Sequence, residues 1–145
     1  MTQIEDNISA LLKKIKEDES LVDYTFVNGF MGAEHEYPLK GYLIAVSTLD
    51  QQVGTQFVGC KAGEKLSGSM YNCSLKFRLY APKNAGGEGL SSLACTLIEA
   101  IKRSDTQSIC DNITATEISF DTDMMTVYRD VVIELSFCVY EEAAV

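Results

Sequence analysis

The sequence has little of what most catalytic and metal sites need. A single histidine, His35, occurs among 145 residues. No P-loop, HExxH or EF-hand loop is present, and no G-x-S-x-G elbow marks a nucleophile. The five cysteines, Cys60, Cys73, Cys95, Cys110 and Cys138, include no CxxC pair, so neither a zinc site nor a disulfide framework is signalled. Cys73, Cys95 and Cys138 fall in apolar-periodic segments, where cysteine acts as a small buried hydrophobe. A reducing compartment fits that usage. Apolar runs are a few residues each, against the ~20 of a membrane span. Met1 to Ala10 carries Glu5 and Asp6 and lacks the apolar core of a secretory signal. Basic residues are also short: 12 against 21 acids, for a net charge of −9. That balance argues against a nucleic-acid-binding domain, which neutralises phosphates with a basic patch. The basic clusters Lys13, Lys14, Lys16 and Lys102, Arg103 read as a solvated helix face and a helix C-terminus.

What is present is ordinary globular usage, 46% hydrophobic and 23% charged. The length suits one domain, residues 1–145. Ile4, Ile8, Leu11, Leu12 and Ile15 recur at helical spacing and predict an amphipathic helix over Ile4–Lys16. Leu21–Phe30 and Tyr37–Ser47 are rich in aromatic and β-branched residues and predict two strands. From Thr48 to Ser69 the pattern weakens, and Gly54, Gly59, Gly63 and Gly68 recur. Val53, Phe57 and Val58 allow one short strand there. The rest predicts a long mobile loop over about 48–69. Met70–Tyr80 alternates cleanly, with Cys73, Leu75, Phe77 and Leu79 on one side, and predicts a half-buried strand. Leu90, Leu93, Ala94, Leu97, Ile98 and Ile101 predict a second amphipathic helix ending at Arg103. Ile113–Asp121 and Thr126–Tyr140 predict a hairpin. The order implies an α+β fold: a mainly antiparallel sheet with two helices packed on one face.

The most enzyme-like pattern is Gly87-Glu88-Gly89-Leu90-Ser91-Ser92, placed between a strand and a helix. A dinucleotide fingerprint has a third glycine where Ser92 stands, and its strand is buried on both faces. Here the strand shows Lys76 and Arg78, so a plain strand-to-helix loop is the better reading. His35 lies between Glu34 and Glu36, but neighbours on an extended chain point to opposite sides. Asp121 and Asp123 suit a turn in which aspartate bonds its own backbone. Glu64 and Glu88 have no evident partner. No catalytic, cofactor or metal residues are therefore expected, and the chain is not expected to be an enzyme.

The sheet itself is more informative. Tyr42, Ile44 and Val46 alternate with Leu39, Leu43 and Ala45, which makes the second strand apolar on both faces. Val132, Cys138 and Tyr140 do the same for the last strand. Two helices cover one face, so the other is expected to curl, to meet another subunit, or to lie under the 48–69 loop.

In three segments the chain resembles tail-terminator and tail-completion proteins of long-tailed bacteriophages and prophages. These are the short helix Ile4–Lys16, the strand–loop–helix Cys73–Arg103 (CSLKFRLYAP leading to LSSLACTLIEAI), and the terminal hairpin ISFD…YRDVVIEL. The resemblance implies a helix-backed sheet that assembles into a hexameric ring. That ring caps the tail tube and docks to the head connector. The implied partners are further copies of the chain, a tail tube protein and a head-completion or connector protein. The implied location is the virion neck, after synthesis in the host cytoplasm. The family has no catalytic residues to carry over. An acidic lumen would let DNA pass without sticking. The interface residues expected on this reading are Tyr42, Val53, Phe57, Val58 and Tyr140. The alternatives are a small-molecule-binding or enzymatic domain using the open sheet face, and an adaptor that binds peptides by strand addition.

Overall fold

The apolar stripe near the N-terminus forms helix α1, Gln3–Lys16. Ile8, Leu11 and Ile15 are its buried side, with Ile15 wholly enclosed. The structure is a computed structural model. It describes residues 3–28, 41–61, 64–82, 87–106 and 109–142, and for 3–5, 28, 50–69 and 138–142 the backbone alone. The second stripe forms α2, Glu88–Ser104. Its Leu90, Leu93, Leu97 and Ile101 are fully buried, each contributing roughly 1.5–3 kcal/mol of transfer free energy.

The strands are β1 (Thr25–Asn28), β2 (Leu43–Lys61), β3 (Glu64–Tyr80), β4 (Cys110–Ala115), β5 (Ser119–Asp121) and β6 (Thr126–Glu142). They form one open sheet in the order β1-β2-β3-β6-β4, with β5 also on β6. The fold is α+β, with a mixed and mostly antiparallel sheet. The exception is β1, which runs parallel to β2. Strand β1 is also shorter than expected. Leu21 precedes it in a turn and is buried in the core, its N–H bonded to the Asp18 carbonyl.

Alternation assigns the two faces. Cys73, Leu75, Phe77 and Leu79 on β3 stand opposite Leu135, Ile133, Val131 and Arg129 on β6. The apolar members pack with both helices in one core. The opposite face carries a second, smaller cluster of Leu43, Ala45, Tyr80 and Met124, flanked by Val27 and Tyr128. This accounts for the apolar character of β2 on both sides. The cover over Leu43 and Ala45 comes from the turn between β5 and β6, through Met124, which none of the three sequence expectations included.

The expected loop over 48–69 is the largest correction. Residues 48–61 and 64–69 are strand, and they complete a long β2–β3 hairpin whose pairing runs from Leu43↔Tyr80 to Lys61↔Glu64. They extend the sheet and do not fold over its face. The weak apolar signal has a physical reason. Alternation appears only where one face of a strand is buried against a core. This part of the hairpin is paired with its neighbours by backbone ladders, which need no apolar alternation. Register shifts fall between Thr48 and Gln51 and between Val53 and Gln56. The second contains Gly54, a residue type common at bulges. The expected terminal hairpin is also divided. β4 and β5 are separate strands on the same edge of β6, and Thr116 between them donates its N–H to the Asp130 carbonyl at 2.8 Å.

Candidate assembly interface

Strand β3 runs the length of the sheet between β2 and β6. Its far half pairs on both sides and forms a three-stranded ribbon with β2 and β6. Val53, Tyr71 and Phe137 stand side by side across the ribbon, as do Gly59, Leu66 and Glu142. From Tyr71 to Glu64 the ribbon reaches about 23 Å at roughly 3.3 Å per residue. β1 accompanies β2 only as far as Val46. On the other side the last bond to β6 is Ser136 N–H to the Ile109 carbonyl, 2.7 Å. Beyond these points, among the described residues, no strand pairs with the outer edge of β2 or of β6. Rows of unpaired peptide groups of this kind template the addition of another strand.

The expected interface residues divide on this frame. Val53, Phe57 and Val58 lie on β2 and Tyr140 on β6, all within the ribbon; their side chains lie outside the described residues. Tyr42 is placed elsewhere. It is half-buried, edge-on to Tyr24 with ring centroids 6.2 Å apart, and packs against the helix-side core. Its hydroxyl abuts Gly89, where a Cβ would collide with it. The glycines of the Gly87-Glu88-Gly89 pattern thus serve packing: Gly87 faces the Ile118 side chain in the same way.

The open face of the sheet carries an ionic and aromatic cluster. Arg78 Nε donates to Asp130 Oδ1 at 2.8 Å and Nη2 to Oδ2 at 3.0 Å. These residues are direct cross-strand partners. The guanidinium also lies 4.1 Å from the centre of the Tyr128 ring, and the carboxylate holds its pKa above the usual arginine value. Tyr80 donates its hydroxyl to Asp121 Oδ2 at 3.1 Å. Burial pushes the Tyr80 pKa up to about 12, against the opposing pull of Arg78. The other oxygen of Asp121 accepts the N–H groups of Asp123 and Met124. The two acids expected to share a turn therefore do so, with Asp121 bonding the backbone. Every strong donor and acceptor named here has an internal partner. The cluster locks β3, β6 and the β5–β6 turn together.

A shallow groove of about 460 Å³ lies between α2 and β4, beside Ile98, Lys102, Cys110 and Asp111. Asp105, at its end, accepts the N–H groups of Ile109 and Cys110, both at 2.9 Å. Burial, then Asp105, pushes the Cys110 thiol up, so the neutral form dominates, not the reactive thiolate. Among the described residues, no three His, Cys, Asp or Glu side chains converge to hold a metal. His35, Glu34 and Glu36 lie outside the described residues. Glu88 is exposed. Among the described residues, no helix is long and apolar enough to cross a membrane.

What sequence reasoning missed is the edge itself. Its usable signal was the spacing of Val53, Phe57 and Val58 beside the alternating Met70–Tyr80 run. Compared with known proteins, the chain matches no family model and no curated sequence.

Proposed function

We propose that this chain is a non-enzymatic assembly protein, a subunit of a homo-oligomeric ring of the tail-terminator or head–tail-joining kind. One observation carries the reading: the three-stranded ribbon that leaves the helix-covered core with both outer edges unpaired among the described residues. Edges of this length that no described strand pairs leave peptide groups for another chain to bond. A ring subunit uses it as a contact, since heterologous contacts close into rings. The net charge of −9 suits a channel that passes a polyanion, if acids line it. The proposed location is a virion neck. The proposed partners are further copies of the chain, a tail tube protein and a connector protein.

The same edges support a second reading, an adaptor that adds a partner's peptide as an extra strand. Native mass spectrometry over a concentration series separates the two. Discrete closed rings are the expected result. A strict monomer at the highest concentration reached would displace the ring reading in favour of the adaptor.

A further inference from the structure

The alternation of the ladder reveals which peptide groups face outward. Ser136 donates its N–H to β4 and Asp130 offers its carbonyl to Thr116 on that same side. Even-numbered residues of β6 therefore point away from β3, and the register to β3 continues without a shift to Glu142. Cys138, Tyr140 and Glu142 thus present outward N–H and C=O groups. The odd-numbered residues between them bond to β3. Carrying the alternation across β3 to β2, with its two register shifts, leaves Val53, Gln56, Val58 and Cys60 facing outward on the opposite edge.

The two edges, unpaired among the described residues, match. Both lie at one height of the ribbon, since β2 residues 53–59 are level with β6 residues 137–142 through β3. At roughly 3.3 Å per residue the β6 edge at 138–142 offers about 13 Å of ladder and the β2 edge at 53–60 about 23 Å, so the shorter fits within the longer. They also run in the same direction, because each is antiparallel to β3. We infer that the ribbon joins copies of the chain head to tail, the β6 edge at 138–142 pairing in parallel with the β2 edge at 53–60 of the next copy. Each copy then contributes three strands to a sheet that continues from subunit to subunit. The occupant is a second copy because one molecule carries both halves of the contact, at the same height and with the same polarity. A two-fold pairing of like edges would leave the other edge of each copy open. This inference rests on the ring reading and specifies its contact.

Proline tests it, because proline removes a backbone donor and is tolerated on strand edges. Tyr140→Pro removes an outward N–H of β6, and Val58→Pro removes one of β2. Neither touches a bond to β3. Circular dichroism should show both variants folded, and native mass spectrometry should show each as a monomer while the unaltered chain forms rings. A mixture of the two should form a one-to-one heterodimer and nothing larger, since it holds one intact pair of edges. Val139→Pro, which removes an inward donor, should lower the unfolding midpoint as the other two do not. Rings that persist in Tyr140→Pro and Val58→Pro would overturn the strand pairing while leaving the ring reading in place. A dimer of Tyr140→Pro alone would overturn the head-to-tail polarity. A monomeric unaltered chain would overturn the ring reading and this pairing with it.

Discussion

Tyr80 is 5% exposed, and its hydroxyl reaches Asp121 at 3.1 Å. Burial raises its pKa from 10.0 to about 12. Between those values the folded chain keeps a proton that the unfolded chain has lost. The stabilising contribution is therefore complete below about pH 10 and is lost as pH rises towards 12. Tyr80→Phe lacks this titration. Its thermal midpoint should fall less steeply over that range than that of the parent chain. At neutral pH it should be less stable by about 1 kcal/mol, the usual net worth of a hydrogen bond. An alkaline slope equal to the parent's would place the titrating group elsewhere. Little of this was legible in sequence. The alternation in Met70–Tyr80 put Lys76, Arg78 and Tyr80 on one face, and they do share it. That Asp130 and Asp121 would meet Arg78 and Tyr80 depends on pairing across 52 and 41 residues, which no local pattern encodes.

Among the elements, the helices were the most legible. Each needs one apolar stripe at 3.6-residue spacing, and that stripe is visible whatever lies opposite. What the stripe does not reveal is the fit of the helix against its neighbours. The first turn of α2 receives the Tyr42 hydroxyl at Gly89. Alanine there gains about 1 kcal/mol of helix propensity but overpacks a filled contact, at a cost of about 1–3 kcal/mol. Gly89→Ala should therefore destabilise by about 1 kcal/mol in chemical denaturation. In a Tyr42→Phe background the hydroxyl is gone and the cost should shrink or reverse. Equal effects in both backgrounds would dissociate Gly89 from Tyr42. The strands divide by environment. Met70–Tyr80 was read correctly because α2 buries one side of it. The 48–69 segment was read as loop because the backbone ladders that make it strand need no apolar alternation.

At the scale of the whole molecule, stability is uneven by construction. At one end the sheet is backed by α1 and α2, with Leu75, Phe77, Val131 and Ile133 fully buried. At the other, three strands are joined by ladder hydrogen bonds. Hydrogen exchange should register both the gradient and the alternation. Amides of Leu75 and Phe77 should be the slowest. In monomeric chain, those of Gln56, Val58 and Cys60 should exchange fast, and those of Phe57 and Gly59, which point to β3, more slowly. Uniform protection along β2 in the monomer would contradict the outward assignment of its alternate peptide groups.

The sequence by itself determined the two helices, the half-buried strands and the α+β class, because each depends on short-range periodicity set by one buried face. Its single histidine, scattered cysteines and excess acid likewise narrowed the chemistry without reference to any fold. The tertiary structure alone decided the parallel entry of β1, the Met124 cover over Leu43 and Ala45, and the conversion of a glycine-rich stretch into an extended ribbon. The Met124 cover is side-chain packing between distant segments, and the other two are made by backbone hydrogen bonds between strands. Such bonds are the same for every residue type except proline, and so leave almost no trace in residue order.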